Sequence, residues 1–156
     1  MIIYPGTFDP ITNGHKDIIE RSLKIFDRII IAVAESKQKK TLFPLEVRLK
    51  FVKKIFKNEK NITVISFSGL LKDLLIEKKI FNVLRGIRSV ADYEFELQLA
   101  NMNKKLDKKI ETVFMIPNEN YSSISSSIVR EIINLKGDIS KFVPNEVIEY
   151  LKKNDT

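Results

Sequence analysis

No cysteine occurs anywhere in the 156 residues, and histidine occurs once. The lack of cysteine excludes a disulfide framework, thiolate metal sites and thiol catalysis, and makes the reducing cytoplasm the expected setting. Long apolar runs are missing as well. The longest, Ile29 to Ala34, falls far short of the roughly 18 residues a membrane span needs, so no membrane partner is expected. The first dozen residues carry Asp9 and no basic–apolar–small order, so no secretory signal is expected. Arginine is scarce: six of the 27 basic residues, which leaves 21 lysines within a net charge of +7.

What is present describes an ordinary globular chain, 44% hydrophobic and 30% charged. Its length predicts one domain over residues 1–156, since domains run to roughly 100–200 residues. The lysine clusters at Lys37–Lys39–Lys40, Lys53–Lys54–Lys57, Lys104–Lys105–Lys108–Lys109 and Lys152–Lys153 are scattered along the chain. Apart from one member of the first, they read as solvated faces. A nucleic-acid surface would interleave aromatics with the cations for base stacking, and these clusters do not.

Two periodicities alternate. Ile2–Tyr4, Arg28–Ala34, Ile62–Phe67, Phe81–Leu84 and Ile110–Ile116 are short, almost wholly apolar runs, as strands covered on both faces should be. Between them lie helical stripes: His15, Ile18, Ile19, Ser22 and Phe26; Leu45, Leu49, Val52 and Phe56; Leu71, Leu74 and Leu75. From Val90 to Leu106 two stripes coexist, Phe95–Leu99–Met102–Leu106 and Tyr93–Leu97–Ala100, so one side is expected on the sheet and the other on a further element or subunit. Two more helices fit Ile128–Leu135 and Val147–Leu151, the second after a turn at Lys136–Pro144. The expectation is an α/β, Rossmann-like open parallel five-stranded sheet with helices on both faces and a C-terminal helical appendage. Ligands in such a sheet sit beyond the carboxyl ends of the strands.

The segments leaving those ends are the unusual ones. In Tyr4-Pro-Gly-Thr-Phe-Asp-Pro-Ile-Thr-Asn-Gly-His15, Pro5–Gly6 ends the strand, and Gly6 lets backbone approach a ligand closely. Thr12 or Asn13 caps the next helix, whose free amides attract phosphate. His15 falls on its first turn, where the dipole disfavours imidazolium, so a neutral ring donates one N–H to a phosphate oxygen while its other nitrogen accepts. Arg85 and Arg88 bracket Gly86 in a chain that otherwise uses lysine, which points to planar forks on phosphates. The serine-rich run Tyr121–Ser127 offers hydroxyls and free amides ahead of a helix. Arg130, just beyond, faces either phosphates or solvent. Asp92 and Glu96 are four apart on one helix, a spacing that also serves plain solubility. The acidic residues show no metal-cage spacing, so no protein metal site is expected.

Thr12–Asn13–Gly14–His15 resembles the T/H-x-G-H signature of the nucleotidyltransferase superfamily, and Tyr4–His15 as a whole resembles the opening of the bacterial phosphopantetheine adenylyltransferases. Arg85-Gly-Ile-Arg88-Ser-Val-Ala-Asp-Tyr-Glu-Phe-Glu96 and Ile124-Ser-Ser-Ser-Ile-Val-Arg130 agree in order and spacing, with Ser127 where many relatives carry threonine. The resemblance implies transfer of the adenylyl group of ATP to 4′-phosphopantetheine, with Mg2+ carried mainly by the ATP phosphates. It implies that His15 stabilises the transition state and that Thr7 contacts ATP and the acceptor phosphate, with Phe8 beside it. Lys39 (or its neighbours Lys37 and Lys40) and Arg85 would take the acceptor phosphate, and Leu71 would line the pantetheine arm. The Gly86, Ile87 and Arg88 segment, Glu96, and Tyr121, Ser122, Ser123, Ile124, Ser125, Ser126 and Ser127 would surround ATP, Tyr121 near the adenine. A homohexamer and ATP with 4′-phosphopantetheine as partners complete what it implies. A different phosphorylated acceptor, such as nicotinamide mononucleotide, is the nearest rival, because the opening motif alone does not separate the two.

Overall fold

The computed structural model describes residues 1–35 and 40–154. Lys37 and Lys39 lie outside the described residues. Five parallel strands, β1 (Ile2–Gly6), β2 (Ile29–Ala34), β3 (Ile62–Phe67), β4 (Asn82–Gly86) and β5 (Glu111–Met115), form one sheet in the order β3-β2-β1-β4-β5. Among the described residues, six α-helices connect or follow them: α1 (Asn13–Ser22), α2 (Leu45–Ile55), α3 (Leu71–Lys78), α4 (Val90–Leu106), α5 (Ser126–Asn134) and α6 (Asn145–Asn154). The winding runs outward from β1 to β3 and then restarts on the other side of β1 at β4. The reversal opens a crevice at the carboxyl ends of β1 and β4, the switch point where open α/β sheets take ligands.

Strand alternation divides the core in two. Ile2, Tyr4, Ile29, Ile31, Val33 and Leu84 pack with Ile18 and Ile19 of α1, Phe51 and Val52 of α2, Val129 of α5 and Val147 of α6. Ile3, Ala32 and Val83, one residue out of phase, pack with Leu74 and Leu75 of α3 and with Ile110. Each such side chain contributes about 1.5–3 kcal/mol on full burial, so the apolar strands and both helical layers form together. The C-terminal helix shares the larger cluster: Tyr150 stacks edge-on against Phe43 and Phe51 at 5.9 and 5.3 Å.

Three boundaries that bear on the site differ from the sequence expectation, each for a local reason. β1 continues through Pro5 and Gly6, registered on Ala32 and Val33 of β2. On its other side the ladder to β4 is registered only at Ile3–Val83, and the Pro5 carbonyl instead accepts Arg85 Nη1 at 2.7 Å. β4 likewise runs on to Gly86, so Arg85 projects from a strand and not from a loop. And α5 begins at Ser126, two residues early, because Ser125 is extended and its hydroxyl accepts the Ile128 N–H at 3.0 Å. Of the two stripes on α4, one meets β5 through Tyr93 and the other is left exposed. The helix buries only Glu96 and leaves Phe95, Met102 and Val90 exposed, while Tyr93 stacks against Phe114 at 6.0 Å.

Candidate active site

The local fold of the first loop fixes the histidine. Thr12 caps α1, and its hydroxyl accepts the His15 N–H at 3.4 Å. In return the Thr12 N–H donates to His15 Nδ1 at 3.0 Å, with the Thr12 hydroxyl 2.9 Å from the same nitrogen. This is a capping box with histidine in the place usually held by Glu or Gln. A ring nitrogen that accepts a backbone N–H carries no proton of its own, so the neutral ring bears its hydrogen on Nε2. Burial, then the positive charges of Arg88 and Arg85, push the His15 pKa down from 6.5 to about 4. Desolvation and the two guanidinium groups disfavour imidazolium here, alongside the helix dipole expected at the first turn. Because the folded pKa is depressed, the stability His15 contributes is whole above pH 6.5 and is lost as pH falls toward 4.

Two arginines are set by two carboxylates one turn apart on α4. Arg85 Nε and Nη2 donate to Glu96 Oε2 and Oε1 at 2.6 and 2.5 Å. Arg88 Nε and Nη2 donate to Asp92 Oδ2 and Oδ1 at 2.9 and 3.2 Å, and its Nη1 donates to the Ile124 carbonyl at 3.0 Å. Burial alone would lower the Arg85 pKa, but the Glu96 hydrogen bond and charge overcome it and the net shift is upward. The Asp92–Glu96 pair therefore orients the arginines and is not surface solubility. Three of the five Arg85 N–H groups are taken by Glu96 and Pro5, which leaves two for an incoming anion.

These groups converge on a cleft of about 310 Å3 whose walls include Thr7, Phe8, His15, Arg85, Gly86, Arg88, Glu96, Ile124, Ser125, Ser126, Ser127 and Arg130. A second cavity of about 300 Å3 adjoins it, walled by Gly69, Leu71, Leu99 and Ala100, and shares Thr7, Arg85 and Glu96 with the first. Leu71 thus lies in the second space and away from the first.

Four residues named from the sequence stand back from the cleft. The Ile87 N–H extends the strand ladder to the Met115 carbonyl at 2.9 Å. Tyr121 packs against the larger core cluster and alongside Gly14, Ser122 donates to the Glu119 carbonyl at 2.8 Å, and Ser123 is exposed. The serine hydroxyls nearer the cleft are already engaged. Ser125 caps α5, Ser126 Oγ donates to the Pro10 carbonyl at 2.9 Å, and Ser127 Oγ accepts from Arg130 Nη2 at 3.1 Å. What remains for a phosphate there is the O–H of Ser125 and of Ser127, whose oxygens accept in these bonds, the backbone amides at the start of α5 and the Arg130 guanidinium. Gly6 makes room for protein and not only for ligand: a Cβ there would stand 2.9 Å from the Phe8 ring. Of the first lysine cluster, Lys40 is described, and it lines the cleft beside Thr41.

Residues 3–132 match the cytidylyltransferase-like family model. Three curated relatives, all named phosphopantetheine adenylyltransferase, match nearly end to end. Those from Nautilia profundicola, Thermodesulfovibrio yellowstonii and Campylobacter hominis are 50%, 52% and 51% identical, each over 96% of this chain and over 97%, 94% and 94% of their own lengths. This chain belongs to the phosphopantetheine adenylyltransferase family.

Behind the groups that face the cleft lie further site residues, of which sequence reasoning missed Asp9 and Arg48. Asp9, 2% exposed, accepts the Leu42 and Phe43 N–H groups at 2.9 Å each. Arg130 Nη1 donates to the Asp9 carbonyl at 2.7 Å. Arg48, also 2% exposed, sits beneath the loop on α2. One signal for Arg48 was present: it is one of only six arginines, the same scarcity that drew notice to Arg85 and Arg88. The three carboxylates lining the cleft are thus all engaged, Asp9 by amides, Asp92 and Glu96 by guanidinium groups.

Proposed function

We propose that this chain, acting as one domain over residues 1–156, transfers the adenylyl group of MgATP to 4′-phosphopantetheine. An oxygen of the acceptor phosphate attacks the α-phosphorus, the bond to the bridging β-oxygen breaks, and dephospho-coenzyme A and pyrophosphate leave. The observation that carries this reading is the junction: Thr7 and Arg85 belong to both cavities, so two anionic reactants placed one in each meet at those side chains. No protein nucleophile is needed, because the acceptor brings its own, and the work is alignment and charge stabilisation.

In this reading the His15 Nε2–H donates to a non-bridging α-phosphate oxygen as negative charge gathers there. Arg85 and Thr7 hold the acceptor phosphate, with Lys39 or Lys40 as the ammonium arriving from beyond β2. Leu71 and the Gly69 turn cover the pantetheine arm. Arg88 and the Gly86–Ile87 backbone border the nucleotide. Glu96 acts by orienting Arg85, while Arg130 and the α5 amides take the β- and γ-phosphates. Magnesium neutralises those phosphates as part of the substrate. Phe8 supports the Thr7 backbone, and the Tyr121–Ser123 turn bounds the adenine side from behind. The cytoplasm, where ATP and phosphorylated metabolites are pooled, is the proposed setting. A homohexamer is the proposed assembly, and the exposed Phe95, Met102 and Val90 of α4 suit a subunit contact.

Pyrophosphate release from MgATP tests the acceptor. Turnover is expected with 4′-phosphopantetheine and neither with nicotinamide mononucleotide nor with unphosphorylated pantetheine. Equal release with nicotinamide mononucleotide, or none with 4′-phosphopantetheine, overturns the assignment.

A further inference from the structure

We propose that Arg48, which touches neither cavity, is a positioning residue that sets the acceptor side of the site through Thr7, with the Asp9 carboxylate clamping the adjoining Leu42–Phe43 backbone. This inference rests on the acceptor reading above. The Arg48 guanidinium joins three separate stretches of chain. Its Nη1 donates to the Thr7 carbonyl at 2.6 Å and to the Ala34 carbonyl at 2.9 Å, and its Nε donates to the Phe43 carbonyl at 3.0 Å. Those carbonyls belong to the loop after β1, the end of β2, and the approach to α2. Two of the three residues, Thr7 and Ala34, wall the second cavity.

The conformation between these ties gives the arrangement its point. Phe8 has φ +50°, the left-handed region that a bulky aromatic residue avoids. Such a backbone persists only where its surroundings over-determine it, and it clusters at functional sites. Here Arg48 holds the carbonyl before Phe8, Arg130 holds the carbonyl after it, and the Asp9 carboxylate clamps the Leu42 and Phe43 amides. A buried guanidinium is expensive to desolvate unless it is paired and fully hydrogen-bonded. Its rigid planar fork fixes the relative angle of three carbonyls at once, which the point charge of a lysine does not. Loss of the fork frees Phe8 to relax and carries the Thr7 hydroxyl away from the junction.

The test compares Arg48→Lys with wild type in the full chain, reading thermal unfolding, kcat, and separate KM values for MgATP and 4′-phosphopantetheine. The expected result is a folded variant with kcat/KM for the acceptor reduced about tenfold and the KM for ATP within about twofold, because a small misplacement at the reacting centre is felt strongly. A folded variant with wild-type kinetics, or with equal losses for both substrates, overturns the proposal. If Arg48→Lys does not fold, Asp9→Asn decides by the same selective loss. If neither folds, the pair supports the fold and not the register, and the proposal fails. Wild-type protein that does not turn over 4′-phosphopantetheine overturns the acceptor reading itself, which separates the two failures.

Discussion

Replacing His15 by alanine is expected to lower kcat by roughly 10²–10³, the loss that follows removal of one preorganised donor to a developing oxyanion. The Nε2–H is held toward the cleft by a fixed tautomer, with no reorganisation at the moment of reaction, and so its value lies in the transition state. KM for ATP should therefore change much less than kcat. Stability is a separate account. Alanine leaves the Thr12 N–H without its acceptor, a loss of about 1 kcal/mol for half a capping box. His15→Gln removes this ambiguity: glutamine at the third helical position restores the cap without the imidazole. Both variants should be slow, and only the alanine one should also melt earlier. Full turnover by His15→Ala would take the ring out of the mechanism.

Arg85→Ala is expected to reduce kcat/KM for the acceptor by roughly 10²-fold, the scale of a lost charge-assisted hydrogen bond to phosphate. The effect should fall on 4′-phosphopantetheine and leave the KM for ATP within about twofold, because Arg85 stands at the junction with the second cavity while Arg88 stands on the other wall. Glu96, only 9% exposed, loses its partner in this variant. Arg85→Lys serves as control: it returns the charge to Glu96 but not the fork, and so should recover stability more fully than acceptor affinity. Equal losses for both substrates would contradict the placement of Arg85.

The topology was legible because apolar strands and amphipathic helices alternate without interruption, and that alternation admits few arrangements other than a doubly covered parallel sheet. His15, Arg85 and Arg88 were legible because each breaks a local rule: a lone imidazole after glycine at a helix start, and arginines in a lysine-rich chain. The same rule reaches further than it was taken. Five of the six arginines, Arg21, Arg48, Arg85, Arg88 and Arg130, donate to backbone carbonyls of the site-forming segments. Where this chain must tie loops together it uses the fork. Arg48 escaped notice because it sits beside Leu49 in an otherwise ordinary amphipathic helix, and pattern alone reads a charge there as solvent-facing. Asp9 escaped because its partners, the Leu42 and Phe43 amides, are 33 and 34 residues away. The serine run shows what sequence order leaves out: Ser125 caps α5, Ser126 donates to the Pro10 carbonyl and Ser127 accepts from Arg130, partners that no local pattern announces.

The central claim is that a neutral imidazole, hydrogen-bearing on Nε2, stands beside two guanidinium groups and awaits a phosphate. With only one histidine in the chain, selective 15N labelling gives a single pair of ring nitrogens to follow by nuclear magnetic resonance. Between pH 8 and pH 5.5 the free protein should show an unprotonated Nδ1, a protonated Nε2 and no titration, with protonation only as the pH approaches about 4. A midpoint near the ordinary 6.5, or a proton found on Nδ1, would contradict it.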